Sequence, residues 1–257
     1  MSDQASPDRP AIPAATVVIF RHATQGGAPE LLMVQRAKEM RFAGGAAVFP
    51  GGRIDPEDYA LARHIAADGN PDDAAARIAG IRETLEETGL SIATDDKVSA
   101  AEAADARAFL LEQGALAPVL ERFGWTLRLD ALVPFARWWP RWDRAFDTRF
   151  FLADLGTGAV EIAVDATENT RLFWTSATGA LDLADRGEID IIFPTRRNLE
   201  RLALFSNFSE ARAQAARYPV DIIAPRREDR DGESWLCIPE GFGYPVTAQL
   251  MKTVKRG

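Results

Sequence analysis

One helix with clear signals at both ends constrains the fold more than any other feature of the sequence. Asn70 is a good N-cap residue, Pro71 suits a first helical turn, and the acids at 72–73 match the positive end of a helix. Gly89 is suited to end the helix in a left-handed conformation. We therefore expect a helix that begins after Asn70 and runs to about Thr88.

This helix has two different faces. At ~100° per residue, Glu83 and Glu87 lie only ~40° apart, with Glu86 ~60° from Glu83 on the other side. The opposite sector is apolar and is formed by Ile78, Ile81 and Leu85. The pattern predicts a helix that packs against a sheet and presents three carboxylates to a cleft. Mg²⁺ or Mn²⁺ would relieve their repulsion, although such spacing alone more often marks a solvated face.

The rest of the chain alternates between strand and helix patterns. Residues 15–20 and 30–35 suggest a β-hairpin, and strands are expected at 132–139, 148–152 and 171–175. Helices are expected at 56–67, 196–205 and 210–217, with one or two more between 99 and 123. We expect a flexible arm at 1–13 and one domain over 14–257, with insertions at about 53–70 and 95–125.

The bulk composition narrows the class of protein. A net charge of -8 argues against broad contact with a nucleic-acid backbone. The single Cys237 excludes an intrachain disulfide. The first residues lack a secretory signal pattern, and no apolar run is long enough to suggest a membrane span. Cytoplasm is therefore the expected location, without a nucleic-acid or membrane partner, and a homodimer is left open.

The segment 82–90, RETLEETGL, resembles the second half of the Nudix box, R-E-U-x-E-E-x-G-U, with Thr84 at the first U. Upstream, FPGG at 49–52 looks like the entrance to the same box. The resemblance implies a Nudix-type α/β/α sandwich around a mixed β-sheet with helical insertions. It also implies hydrolysis of a diphosphate link in a nucleotide-linked substrate. Its metal-binding residues correspond here to Glu83, Glu86 and Glu87, joined by the carbonyl of Gly52.

The box carries an insertion in this chain. Gly52 and Arg82 are 30 positions apart (82 minus 52), against 14 in the standard pattern. Counting back from Arg82, the first glutamate of the box falls on Ala74, so that acid is absent or replaced by Asp72 or Asp73. The three acids on the helix are unaffected.

Residues 31–52 resemble the upstream signature of coenzyme A diphosphatases, with Ala37 where a serine is usual. On this resemblance the substrate is CoA or an acyl-CoA, and the products are 3′,5′-ADP and (acyl-)4′-phosphopantetheine. Arg36, Arg41 and Phe49 are the candidate substrate contacts, and Arg36 and Arg41 are the candidates for the 3′-phosphate, with Arg36 expected to contact it. The arginines could equally be surface ion-pair partners, and aromatic residues such as Phe49 more often lie in a core.

The mechanistic hypothesis is a diphosphate polarised by Mg²⁺ or Mn²⁺ and attacked by an activated water. Glu86 is one candidate base, with its rotamer fixed by Arg82, and Glu168 is a candidate from a loop. A second hypothesis keeps this chemistry with ADP-ribose, NADH or a nucleotide sugar as the substrate. A third is a Nudix module that senses a small-molecule nucleotide without hydrolysing it.

Overall fold

A mixed β-sheet lies at the centre of the fold. The computed structural model describes residues 11–23, 26–38, 43–66, 69–94, 97–141, 145–156 and 169–255. Its strands are β1 (Ile12–Arg21), β2 (Glu30–Arg36), β3 (Ala47–Val48), β4 (Gly51–Arg53), β5 (Val133–Trp138), β6 (Phe146–Asp154), β7 (Asn169–Ser176) and β8 (Ile222–Ile223). The order is β3-β2-β1-β6-β5-β8, with β4 paired to β1 and β7 paired to β2. β1 runs parallel to β6 and antiparallel to β2, so the sheet is mixed.

Helices and a small second sheet complete the described part of the chain. The helices are α1 (Pro56–Ile65), α2 (Pro71–Thr88), α3 (Ala100–Gln113), α4 (Leu116–Phe123), α5 (Ala177–Asp185), α6 (Phe193–Leu202) and α7 (Phe208–Ala215). A three-stranded sheet is formed by β9 (Arg226–Arg230), β10 (Glu233–Cys237) and β11 (Ala248–Leu250). No helix in these residues has both the length and the apolarity needed to cross a bilayer.

The central strand β1 is buried on both faces and separates two hydrophobic cores. Alternate residues of a strand point to opposite faces, so Ala15, Val17 and Ile19 enter one core. Val18 and Phe20 enter the other. Helices α1 to α4 contribute to the first core, and α5 to α7 contribute to the second. The predicted α/β/α sandwich around a mixed sheet is confirmed.

The helix α2 has the ends that the sequence predicts. The Asn70 side chain accepts hydrogen bonds from the backbone N–H groups of Asp72 and Asp73, and Gly89 ends the helix in the left-handed region at φ 73°. A Cβ at Gly80 would lie 2.8 Å from Cγ2 of Val17. A glycine there lets the middle of α2 lie close against β1.

Several boundaries differ from the sequence prediction. β1 begins at Ile12, inside the segment expected to be a flexible arm, while residues 1–10 lie outside the described part of the chain. The predicted hairpin is present, α1 (Pro56–Ile65) corresponds to the helix expected at 56–67, and α3 and α4 are helices of the segment between 99 and 123. The helix α5 and the sheet β9–β11 were not predicted. β9 is a run of charged residues, RREDR, and lacks the alternating apolar pattern that marks a half-buried strand.

Candidate functional site

The acidic face of α2 lies against the short strand β4, and Gly52 makes this close approach possible. A Cβ at Gly52 would lie 2.3 Å from Oε1 of Glu83 and 2.7 Å from its Oε2. A side chain at this position would displace the Glu83 carboxylate, so a glycine lets the backbone of β4 lie beside this carboxylate in its present orientation. Gly52 and Glu83 are 31 positions apart in the sequence (83 minus 52), and the fold brings them into contact.

Glu83 is the most perturbed of the three glutamates. Burial raises the pKa of Glu83 from 4.5 to about 8; Arg82 opposes this shift, and the negative charges of Glu87 and Glu86 reinforce it. The side chain is 16% exposed, so a charged carboxylate there is poorly solvated. A cation placed beside it would stabilise the charged form.

Glu87 is held by groups from three strands. The backbone N–H of Gly51 in β4 donates to Oε2 of Glu87 at 3.0 Å. Nδ2 of Asn169, the first residue of β7, donates to Oε1 at 3.3 Å. Nη1 of Arg36, the last residue of β2, lies 4.0 Å from the same oxygen. The orientation of this carboxylate is therefore fixed by the way three strands end around it.

Arg82 is the hub of the acidic cluster and is almost completely buried. Its Nη1 donates to Oε1 of Glu83 at 3.0 Å and to Oε2 of Glu86 at 3.3 Å, and its Nη2 donates to the carbonyl of Arg53 at 2.9 Å. Its Nη2 and Nε also bond the buried carboxylate of Asp58 in α1. These partners raise the pKa of Arg82 further above its ordinary value, although burial lowers it. The guanidinium is therefore a fixed positive charge that orients two of the three glutamates.

The carboxylates of Glu83, Glu86 and Glu87 do not all point toward one common position. Among the residues that the structure describes, no three acidic, histidine or cysteine side chains are arranged to hold a metal ion. Glu83 and Glu86 both accept from Nη1 of Arg82, whereas Glu87 is turned toward the strand ends. Binding of a metal would need rotation of these side chains, while the backbone of α2 and β4 already places them together.

A crystal structure of a Nudix hydrolase from Alicyclobacillus acidocaldarius has a TM-score of 0.67 to this chain and is 30% identical. The similarity covers 80% of this chain and 96% of that chain. The chain belongs to the Nudix hydrolase family. The predicted family and the prediction of a hydrolase are thus confirmed.

A curated relative points to one branch of the Nudix family. Acyl-coenzyme A diphosphatase NUDT19 of Gallus gallus is 25% identical to this chain, and the match covers 70% of this chain. The chain spans 63% of the length of that protein. No family model matches the sequence.

The predicted substrate contacts differ in where the structure places them. Arg36 is close to the Nudix glutamates, and its buried Nε has no hydrogen-bond partner among the described residues. Phe49 is 2% exposed and lies in the core shared with α5 to α7, so the structure does not support it as a substrate contact. Arg41 and Glu168 lie outside the described residues.

The replacement suggested for the first Nudix glutamate is not supported. Asp72 and Asp73 lie in the first turn of α2, where their backbone N–H groups bond Asn70. The ten residues from Asp73 to Glu83 correspond to ~15 Å along the helix axis. Neither acid can therefore join the cluster around Glu83. The additional acids that the structure brings to Arg82 are the buried Asp58 on α1 and the N-cap residue of that helix, Asp55.

Contacts made at the site by Asp58, Asn169 and Arg107 were not predicted from the sequence. Asp58 follows the capping-box spacing from Asp55, which predicts its bond to the Asp55 backbone but not its ion pair with Arg82. Asn169 has no local signal, because its contact with Glu87 spans 82 residues. Nε of Arg107 on α3 donates to the carbonyl of Glu86 at 2.8 Å, a contact that depends on how an inserted helix packs.

Proposed function

We propose that this Nudix hydrolase cleaves the diphosphate link of CoA or an acyl-CoA with the help of Mg²⁺ or Mn²⁺. The observation that carries the chemistry is the contact between the buried Glu83 carboxylate and the backbone of Gly52, beside two further glutamates on the same helix face. The choice of CoA is supported by the similarity to an acyl-coenzyme A diphosphatase and by the signature at 31–52.

The donor set fits a hard divalent cation. Glu83, Glu86 and Glu87 and the carbonyl of Gly52 would hold it, since Mg²⁺ and Mn²⁺ prefer carboxylate and carbonyl oxygens. The raised pKa of Glu83 reflects burial and crowded negative charge, which such a cation would offset. When bound, it would neutralise charge on the diphosphate and make water a better nucleophile.

The residues around the glutamates would orient the reacting groups. Arg82 holds Glu83 and Glu86, while Asn169 and the N–H of Gly51 hold Glu87. Arg36 lies beside Glu87 and would place a positive charge on the diphosphate when the substrate is bound.

The proton from the attacking water needs an acceptor that solvent can reach. Among the three glutamates, Glu86 is the most exposed, at 36% of its side chain, against 16% for Glu83 and 5% for Glu87. Its exposure lets a proton pass to bulk water after the reaction. We therefore assign Glu86 the role of base, with Glu168 as the alternative from outside the described residues.

A substrate panel tests the proposal. CoA, an acyl-CoA, dephospho-CoA, NADH and ADP-ribose would each be incubated with the protein and Mg²⁺ or Mn²⁺, and the products separated by chromatography and identified by mass. We expect 3′,5′-ADP and (acyl-)4′-phosphopantetheine from the first two. Faster cleavage of NADH or ADP-ribose would reject the CoA assignment but keep a diphosphate hydrolase. Tight nucleotide binding without any cleavage would favour a sensing module.

A further inference from the structure

A cavity lies on the face of the sheet opposite the Nudix glutamates. It has a volume of about 430 Å³ and is enclosed by the ends of α5 and α6 together with β11 and the segment after it. Its apolar wall includes Ile189, Ile191 and Phe193. α6 packs in the core shared with α5 and α7, whereas α2 packs in the other core. A pocket of this size can hold a small organic molecule.

Arg197 contributes to the lining of this cavity and carries two buried nitrogen atoms that lack a hydrogen-bond partner among the described residues. Its side chain is 3% exposed, and its Nη2 donates to Oε1 of Glu200 at 2.8 Å and to Oε1 of Gln249 at 3.2 Å. Its Nε and Nη1 are buried and have no partner among the described residues. Burial lowers the pKa of Arg197, because a guanidinium in this position is poorly solvated. Buried donors without partners are costly, so this pair suggests a missing acceptor.

The surrounding electrostatics favour an anion at the same place. The N-cap residue of α6 is Ile192, which offers no side-chain cap, and the first turn carries no acid. The positive end of the helix is therefore not offset by its own sequence. Arg196 and Lys255 also line the cavity.

The acidic side chains at the edge of the cavity do not supply the missing acceptor for Arg197. Arg196 pairs with Asp185 and lies 3.9 Å from Glu200, and Lys255 pairs with Asp190. The carboxylates of Asp185 and Asp190 are 62% and 54% exposed, so these are surface ion pairs that exchange at little cost. A ligand anion could take over these cations.

From these observations we infer that the cavity is a second binding site, which takes an organic anion with a phosphate or carboxylate head and an apolar body. The head receives hydrogen bonds from Arg197 and the positive end of α6, and the body lies against Ile189, Ile191 and Phe193. The site is separate from the glutamates of α2. It therefore needs neither the divalent cation nor the substrate of the hydrolase.

Three probes with one six-carbon chain test this inference: hexyl phosphate, hexanoate and 1-hexanol. Binding to the full chain would be measured by calorimetry in EDTA, so that no divalent cation anchors an anion at the glutamates. We expect one or both anions to bind and the alcohol to bind at least tenfold more weakly. The tighter anion identifies the head group. Equal binding of all three, or no binding of either anion at millimolar concentration, overturns the inference.

Variants then locate the bound anion. Arg197→Met should weaken binding of the anion tenfold or more, while Arg226→Met, which removes an exposed arginine from β9, should leave it unchanged. Arg36→Ala tests the hydrolase cleft. Loss of binding in Arg36→Ala with retention in Arg197→Met would place the anion in that cleft and overturn the inference.

Two further variants test the inference if Arg197→Met does not fold. If Arg197→Met fails to give a native circular dichroism spectrum, the partly exposed Arg196→Gln and Lys255→Gln decide. Each should weaken anion binding about threefold, as expected for solvent-exposed charges. Unchanged affinity in both would count against the site.

Discussion

Nδ2 of Asn169 lies 3.3 Å from Oε1 of Glu87 and donates a hydrogen bond to it from the first residue of β7. Asn169 is 1% exposed, and its backbone pairs with that of Arg36 at the end of β2. Glu87 belongs to a helix on one face of the sheet, yet its orientation is set by strand ends. The candidate site is therefore built by the sheet as much as by the helix α2.

Asn169 is expected to act as a positioning residue for Glu87. Asn169→Leu keeps the approximate shape and removes the donor. We expect a roughly 10- to 100-fold loss of kcat and a higher Mg²⁺ concentration at half-maximal rate, as for other groups that orient metal ligands. The control is Thr170→Val, the exposed neighbour on β7. A change in stability alone, with the Mg²⁺ dependence unaltered, would make Asn169 a purely structural residue.

Glu87→Gln should lower turnover by orders of magnitude and leave the fold intact. The substitution keeps the shape and removes a negative charge that the proposed cation needs. Steady-state hydrolysis at saturating Mg²⁺ provides the measurement, with Glu112→Gln on the exposed face of α3 as the matched control. Near wild-type hydrolysis in Glu87→Gln would mean that this carboxylate binds no essential metal.

The stability of the metal-free protein should depend on pH through Glu83. Its pKa is about 8 in the folded state and near 4.5 when unfolded, so the folded state binds the proton more tightly. The stabilising contribution is complete below about pH 4.5 and is lost as pH rises through about 8. Chemical denaturation of wild type and Glu83→Gln in EDTA gives the free energy of unfolding at each pH. This free energy should fall less steeply over this range in the variant than in wild type. Parallel curves would contradict the raised pKa.

Mg²⁺ should reverse this loss at the alkaline end. The cation competes with the proton on Glu83, and its stabilising effect should therefore grow between about pH 6 and pH 9. Melting temperatures with and without Mg²⁺ across this range give the comparison. A shift that is the same at every pH, or absent, would argue against metal binding at Glu83.

The ion pair between Arg82 and Asp58 should contribute strongly to stability, since both side chains are buried. Asp58→Asn removes one charge and leaves Arg82 its other acids, so the cost should lie near the low end for a broken buried pair, about 3 kcal/mol. Asp55→Asn is the matched control, because Asp55 pairs with the same Nη2 of Arg82 at 3.1 Å but is 43% exposed, and Asn caps a helix as well as Asp. Urea denaturation gives the free energy of unfolding of each variant. Equal losses in the two variants would show that burial of the pair does not matter.

Much of this architecture was predictable because it depends on local chemistry. The caps at Asn70 and Gly89 predicted the bounds of α2, and its periodicity predicted which face packs against β1. The acids on the opposite face follow from the same periodicity. Helix ends and amphipathic faces can be read from neighbours in the sequence, since the interactions that define them span only a few residues.

The contacts that orient the acids were not predictable in this way. Asn169 reaches Glu87 across 82 positions, and Asp58 reaches Arg82 across 24. Both depend on how strands and an inserted helix pack. Phe49 shows the opposite error, since a signature residue close to Gly52 in sequence lies in the core on the other face of the sheet. Proximity in sequence did not establish proximity to the substrate.

Arg36 should serve the diphosphate and not the 3′-phosphate of CoA. The sequence suggested Arg36 as a contact for the 3′-phosphate, which lies away from the reacting phosphorus atoms. In the structure its Nη1 is 4.0 Å from Glu87, beside the proposed metal ligands. Arg36→Ala should therefore reduce kcat/KM for CoA and dephospho-CoA equally, by roughly 10- to 100-fold for a lost bond to a charged group.

Rates on the two substrates, measured side by side, decide the role of Arg36. Arg171→Ala on the neighbouring strand β7 removes an exposed arginine and should affect neither substrate. Arg36→Lys should recover part of the rate, because it restores the charge without the guanidinium geometry. A loss confined to CoA would instead assign Arg36 to the 3′-phosphate. That result would require the side chain to turn away from Glu87 when the substrate binds.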